Sequence, residues 1–191
     1  MRFLVLIFLP FSLLAQVSVP ELKWSVLHPV AAIRTRSVKK ECDFYLSQHP
    51  VLLSGPSIGG KQDAFRHLFY MSAIANKIGV RKARQLGRAH EKGNYRQWKH
   101  GQLEDKGVAD SLACVMDLRN NDSALSYIQL NKNASISTLY AFSLMAVQEG
   151  KAWILLFNNE GQRLNCDLEI IHVTLPRKWY VAGCLVISTT R

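Results

Sequence analysis

The chain has 191 residues, enough for one domain with a sizeable core. Its content of 48% hydrophobic and 20% charged residues excludes a disordered or repetitive protein. Lys and Arg number 24 against 14 Asp and Glu, so the net charge is +10. Such a surface favours anionic partners, among them lipid headgroups, envelope polysaccharide, nucleic acid or an acidic protein, without choosing one.

The chain opens with MRFLVLIFLPFSLLAQ: one early Arg, then an uncharged apolar run from Phe3 to Ala15. That run is too short to span a bilayer and reads as an export signal, residues 1–15, removed after Ala15. Leu13 is larger than the small residue usual three positions before cleavage, which leaves an uncleaved anchor as the alternative. The expected location is therefore exported, periplasmic or secreted. In that setting Cys42, Cys114, Cys166 and Cys184 are permitted to pair. No CxxC pair supports zinc. Three connectivities are open; Cys166–Cys184 is the expected one because both fall in a strand-like region, with free buried thiols as the alternative.

Residues 24–48 carry Trp24, Val26, Leu27, Val30, Ile33, Val38, Phe44 and Leu46 among basic residues. Beyond Pro29 this suits an amphipathic helix covering the core. His49–Gln62, with two Pro and three Gly, is a loop. It leads to a helix from Gln62 to Gly79, a helix-stop residue. A second helix begins near Arg81, with Ala83, Leu86 and His90 on one stripe. Gly87 inside it costs about 1 kcal/mol relative to Ala, which makes sense where a backbone or large side chain comes close. Residues 99–106 read as an exposed loop. Val108 to Ile128 is mostly helical with a break expected around Asn120–Asp122, and Ile136 to Glu149 is an apolar helix closed by Gly150.

The pattern then turns strand-like. Lys151–Phe157 is a short apolar run. Leu164, Cys166, Leu168 and Ile170 alternate with polar residues, and the alternation slips at Ile170–Ile171, as a β-bulge would cause. Trp179–Ser188 reads as a third strand. The expected fold is mainly α: a compact helical domain over residues 24–157, with a small antiparallel β-sheet in a C-terminal extension, 151–191, making it α+β overall.

Three polar segments stand out. Asp63 and His67 share a helix face, with Arg66 one step round and Tyr70 beside His67. His90 and Glu91 form the second segment. Met116–Asp122 supplies Asp117, Asn120 and Asn121. Burying such groups without partners is costly, so convergence in a site is expected. His67, His90, Glu91, Asp63 and Asp117 are the catalytic candidates, because imidazoles and carboxylates in such surroundings move protons. Arg66, Asn120, Asn121 and Tyr70 are the substrate-binding candidates. His67, His90, Asp63 and Asp117 are also metal-ligand types, but no HExxH-like spacing is present, so no metal is assigned and the cofactor is unknown.

In this order and at these distances, DAFRH (Asp63–His67), AHE (Ala89–Glu91) and MDLRNN (Met116–Asn121) resemble an uncharacterised, mostly exported bacterial domain family. Its members tend to show DAFRHAxWN, AHE, and MDLHNN followed by Gly-Arg. The resemblance covers roughly residues 26–157 and implies a helical domain whose motifs meet in a central pocket; it implies no known reaction. Here the Trp-Asn and Gly-Arg pairs are absent, and Arg119 stands where the family tends to have His. If the absent groups contact substrate, this member is altered or inactive.

Two functions remain open from sequence. One is a hydrolase acting on an anionic envelope component, phospholipid or cell-wall polymer, by general acid–base chemistry. The other is a non-catalytic binding or structural module whose polar cluster is a satisfied core network and whose basic face binds the anionic partner. No specific nucleic-acid motif is present.

Overall fold

The computed structural model describes residues 17–100, 110–171, 179 and 182–190. These form six helices: α1 (Val19–Leu27), α2 (Pro29–Gln48), α3 (Lys61–Ile78), α4 (Val80–Lys99), α5 (Ser111–Leu130) and α6 (Ile136–Gln148). Two short strands follow, β1 (Trp153–Leu155) and β2 (Leu185–Ile187), paired antiparallel with Ile154 opposite Val186. The mainly α, α+β expectation holds.

The centre is α3. Apolar residues on nearly every face let it pack against α2, α4, α5 and α6 at once. Phe65, Leu68 and Phe69 are wholly buried, and Phe65 and Phe69 stack with ring centroids 5.7 Å apart. Tyr45 of α2 and Tyr140 of α6 close the aromatic cluster around them. The loop before α3 is tied to the sheet, since Leu155 N–H donates to the Gly59 carbonyl at 2.8 Å.

Helix α5 runs unbroken through Asn120–Asp122, where a break was expected. Composition marks Asn-Asn-Asp as a turn, but tertiary partners keep it helical. Asn120 is fully buried and forms a two-bond pair with the Trp153 backbone: its Nδ2 donates to the Trp153 carbonyl and its Oδ1 accepts from the Trp153 N–H, both at 2.9 Å. Asp122 faces outward and pairs with Arg84 at 3.2 Å.

The helix expected beyond Pro29 is α2, preceded by α1, but two other expectations are corrected. These helices cover the core sparingly, with only Trp24, Ala31, Val38 and Cys42 buried on them. Val26, Leu27, Val30 and Ile33, around the α1–α2 corner, are 62–75% exposed. The alternating stretch after Gln162 makes only isolated bridges, Phe157 with Arg163 and Leu164 with Ile170. Asn165 Oδ1 accepts from the Asp167 and Glu169 N–H groups, both at 2.9 Å, which folds the chain into a turn. Cys166, Leu168 and Ile170 are accordingly exposed, not lined up on a buried face. The resumed alternation at Val173 and Leu175, most of the 99–106 loop and positions 180 and 181 of the expected third strand lie outside the described residues. Cys166 and Cys184 are joined as expected, while Cys42 and Cys114 are buried and outside the disulfide.

Asn120→Ala should cost about 2–4 kcal/mol in urea denaturation, because it strands both buried backbone groups of Trp153. Asp122→Ala removes only an exposed ion pair and should cost under about 1 kcal/mol. Equal costs would mean that Asn120 does not anchor the sheet.

Candidate functional site

Helices α3, α4 and α5 pack on one another, and the polar segments of α3 and α5 meet. On α3, Asp63 lies one turn before His67, and both side chains turn toward α5. Asp63 Oδ2 accepts the Gly59 N–H at 2.8 Å, and its Oδ1 accepts Arg66 Nη2 at 2.7 Å. Arg66 Nη2 also reaches the Ser57 carbonyl at 2.8 Å. His67 Nε2 stands 3.1 Å from Asp117 Oδ1 and 3.9 Å from Asp63 Oδ1. Its Nδ1 lies 3.2 Å from Asn121 Oδ1. Asp63, Asp117 and Asn121 are buried, and the His67 side chain is only 18% exposed.

Burial pushes the His67 imidazole down to about 4; the Asp63 carboxylate and the Asn121 bond oppose that, and a charge on His90 adds to it. Near neutral pH the ring therefore carries one hydrogen, although both of its nitrogens face oxygens. The influence of His90 also places the second imidazole within electrostatic reach of the first.

His90 is held from a direction the sequence did not reveal. Its Nδ1 lies 3.0 Å from Glu21 Oε1, on α1. The other oxygen of that carboxylate accepts the Ser18 N–H at 2.9 Å and the Ser18 hydroxyl at 2.6 Å, closing a capping box at the start of α1. Burial alone would raise the Glu21 carboxyl, but the bonds from His90 and Ser18 outweigh it and hold the group at about 2. The imidazole of His90 is 43% exposed.

Two glycines on α4 make this approach feasible. A Cβ on Gly87 would stand 2.8 Å from Met71 Cε and 3.2 Å from Asn121 Nδ2, and one on Gly93 would stand 2.4 Å from Ser18 Oγ. The first lets α3 and α5 close on α4, as the sequence suggested. The second admits the end of α1 that carries Glu21.

The remaining candidates divide. Glu91 is buried and accepts Asn94 Nδ2 at 3.1 Å. Asn121 joins the cluster through His67. Asn120 points to the sheet and spends both ends of its carboxamide on Trp153. Tyr70 donates a short bond to Asp43 of α2, and burial together with that carboxylate drives its hydroxyl pKa upward. Arg119, at the position where the resembled family tends to have His, lies over the Trp153 ring at 4.4 Å. Glu21 and Asn94 were missed. Ser18-Val-Pro-Glu21 does carry a capping-box signal, but nothing local announces a partner 69 positions away.

Fold and site define a helical domain with a buried His–Asp cluster beside a carboxylate-bound histidine. The chain belongs to the family described as a domain of unknown function, DUF6973, whose model matches residues 22–151. The match begins inside α1, just after Glu21, covers α2 to α6 and ends before the sheet. Comparison with curated proteins and with solved structures gives no match.

Glu21 makes stability depend on acidity. Its carboxyl falls from the ordinary 4.5 to about 2 on folding, so the unfolded chain takes up the proton first as pH drops. The contribution is complete above pH 4.5 and lost on descent to about 2; it should be worth about 3 kcal/mol. Denaturation of Glu21→Gln should show a loss of that order at pH 6 and convergence with the parent near pH 2. A constant difference across this range would refute the assignment.

Proposed function

We propose that this domain is an exported hydrolase acting on an anionic envelope component by general acid–base chemistry. One observation carries the reading: two imidazoles, each beside a carboxylate, are assembled from separate helices. His90, 43% exposed and held by Glu21, takes the role of base. Glu21 fixes its Nδ1 side and stabilises the imidazolium that forms. Nε2 of His90 accepts a proton from water as the water oxygen attacks the ester or phosphoester. The same proton then passes to the departing oxygen. Arg66, 40% exposed at the rim, supplies the positive charge for an anionic substrate.

The apolar leader, Phe3–Ala15, supports export. The exposed apolar corner at Val26, Leu27, Val30 and Ile33, with Lys23 and Arg34 exposed beside it, supports a phospholipid surface over a cell-wall polymer. The binding-module reading has its own support in the near-complete burial of His67.

Phosphatidylglycerol vesicles and purified peptidoglycan, each incubated with the protein, separate the readings. Release of soluble product from the vesicles is expected, with His90→Gln reducing it at least 100-fold. Binding without turnover on either material, together with a lower melting temperature for both His67→Gln and Glu91→Gln, would establish the module instead.

A further inference from the structure

We propose that Asp63, His67 and Asp117 form a site for one divalent cation of the manganese–zinc type. The proposal rests on reading the cluster as functional and names what sits at its centre. One ligand atom from each residue lies within 4.8 Å of the other two. Ligands at neighbouring positions around such an ion sit about 3 Å apart. His67 Nε2 and Asp117 Oδ1 already stand at 3.1 Å. Asp63 Oδ1, 3.9 Å from Nε2, needs to close by less than the swing of one carboxylate.

The second observation is the partner of the far ring nitrogen. Asn121 presents its oxygen to Nδ1, the nitrogen that carries the ring hydrogen when Nε2 binds a metal. Nε2 faces Asp117 Oδ1 and, farther off, Asp63 Oδ1, and with the hydrogen on Nδ1 its lone pair would be open to a cation between them. A cation there would make the three atoms one ligand set. A hydrogen bond from the far nitrogen is the usual support of a metal-bound histidine, and Asn121 supplies it. The Gly59 N–H holds the other oxygen of Asp63, leaving Oδ1 directed at the cluster.

The donor set selects the ion. Two carboxylates and an imidazole without a thiolate suit manganese, iron(II) or zinc over calcium or magnesium. Three protein ligands leave positions for water or a substrate oxygen, so the cation would polarise the group that His90-activated water attacks. Arg66, which shares Asp63 Oδ1, is the cation the metal must compete with.

Titration calorimetry of the chelator-stripped full chain with Mn²⁺ and Zn²⁺ tests this. One ion per chain is expected, with binding weakened at least 30-fold in Asp117→Asn and His67→Gln and strengthened several-fold in Arg66→Ala. Because a ligand variant can fail to fold, pulsed electron paramagnetic resonance of Mn²⁺ on the parent should also show coupling to one imidazole nitrogen. Absence of stoichiometric binding, absence of nitrogen coupling or undiminished binding by Asp117→Asn would each overturn the site. His90→Gln separates the two readings, since it should abolish turnover and keep the metal. Metal binding by a parent without hydrolytic activity would defeat the proposed function alone, and turnover without metal would defeat this inference alone.

Discussion

A buried helix cannot carry polar groups in its first turns unless its neighbours supply partners, and α3 imposes that requirement on everything packed around it. Asp63 takes a backbone N–H from the loop before it and a guanidinium from its own helix. His67 takes Asp117 and Asn121 from α5. The cost of leaving any of these groups alone is several times the worth of an exposed ion pair. The register of α5 against α3 is thereby fixed by polar chemistry as well as by apolar packing.

The same economy recurs in α5 and α1. Asn120 and Asn121 are adjacent and identical in chemistry, yet a helix turns them about 100° apart. One therefore fastens the sheet, and the other orients a histidine. Glu21 divides its two oxygens between the start of its own helix and His90 on another. In each case a residue that satisfies local structure also positions the site, so fold and site are difficult to change independently.

What could be read from the chain followed from how far each signal reaches. The apolar periodicity of α3 and α6 and the stop at Gly79 are local, and these helices stand where expected. The close approach at Gly87 was legible because a glycine inside a helix is costly without a neighbour to justify it. The unbroken course of α5 was not, because Asn-Asn-Asp has turn chemistry and its helical state depends on Trp153 and His67, remote in sequence. Glu21 escaped for the same reason. The α1–α2 corner was misread because apolar spacing shows that residues share a face without showing whether that face is covered. Within the site, helical spacing put Asp63 and His67 together, but only tertiary packing distinguishes Asn121, which reaches His67, from Asn120, which does not.

The two histidines stand in opposite surroundings, and the proposed function draws on that contrast. A core that needed only stability would do as well with apolar side chains of similar volume at His67, Asp63 and Asp117, since buried charges seldom repay their desolvation. This domain instead surrounds His67 with oxygens on both sides, while leaving its neighbour His90 partly exposed and fixed by Glu21. Burial suits the first imidazole to a held position, and exposure suits the second to exchange with solvent. Two copies of one side chain, placed in opposite surroundings within electrostatic reach, form a division of labour that packing alone does not require.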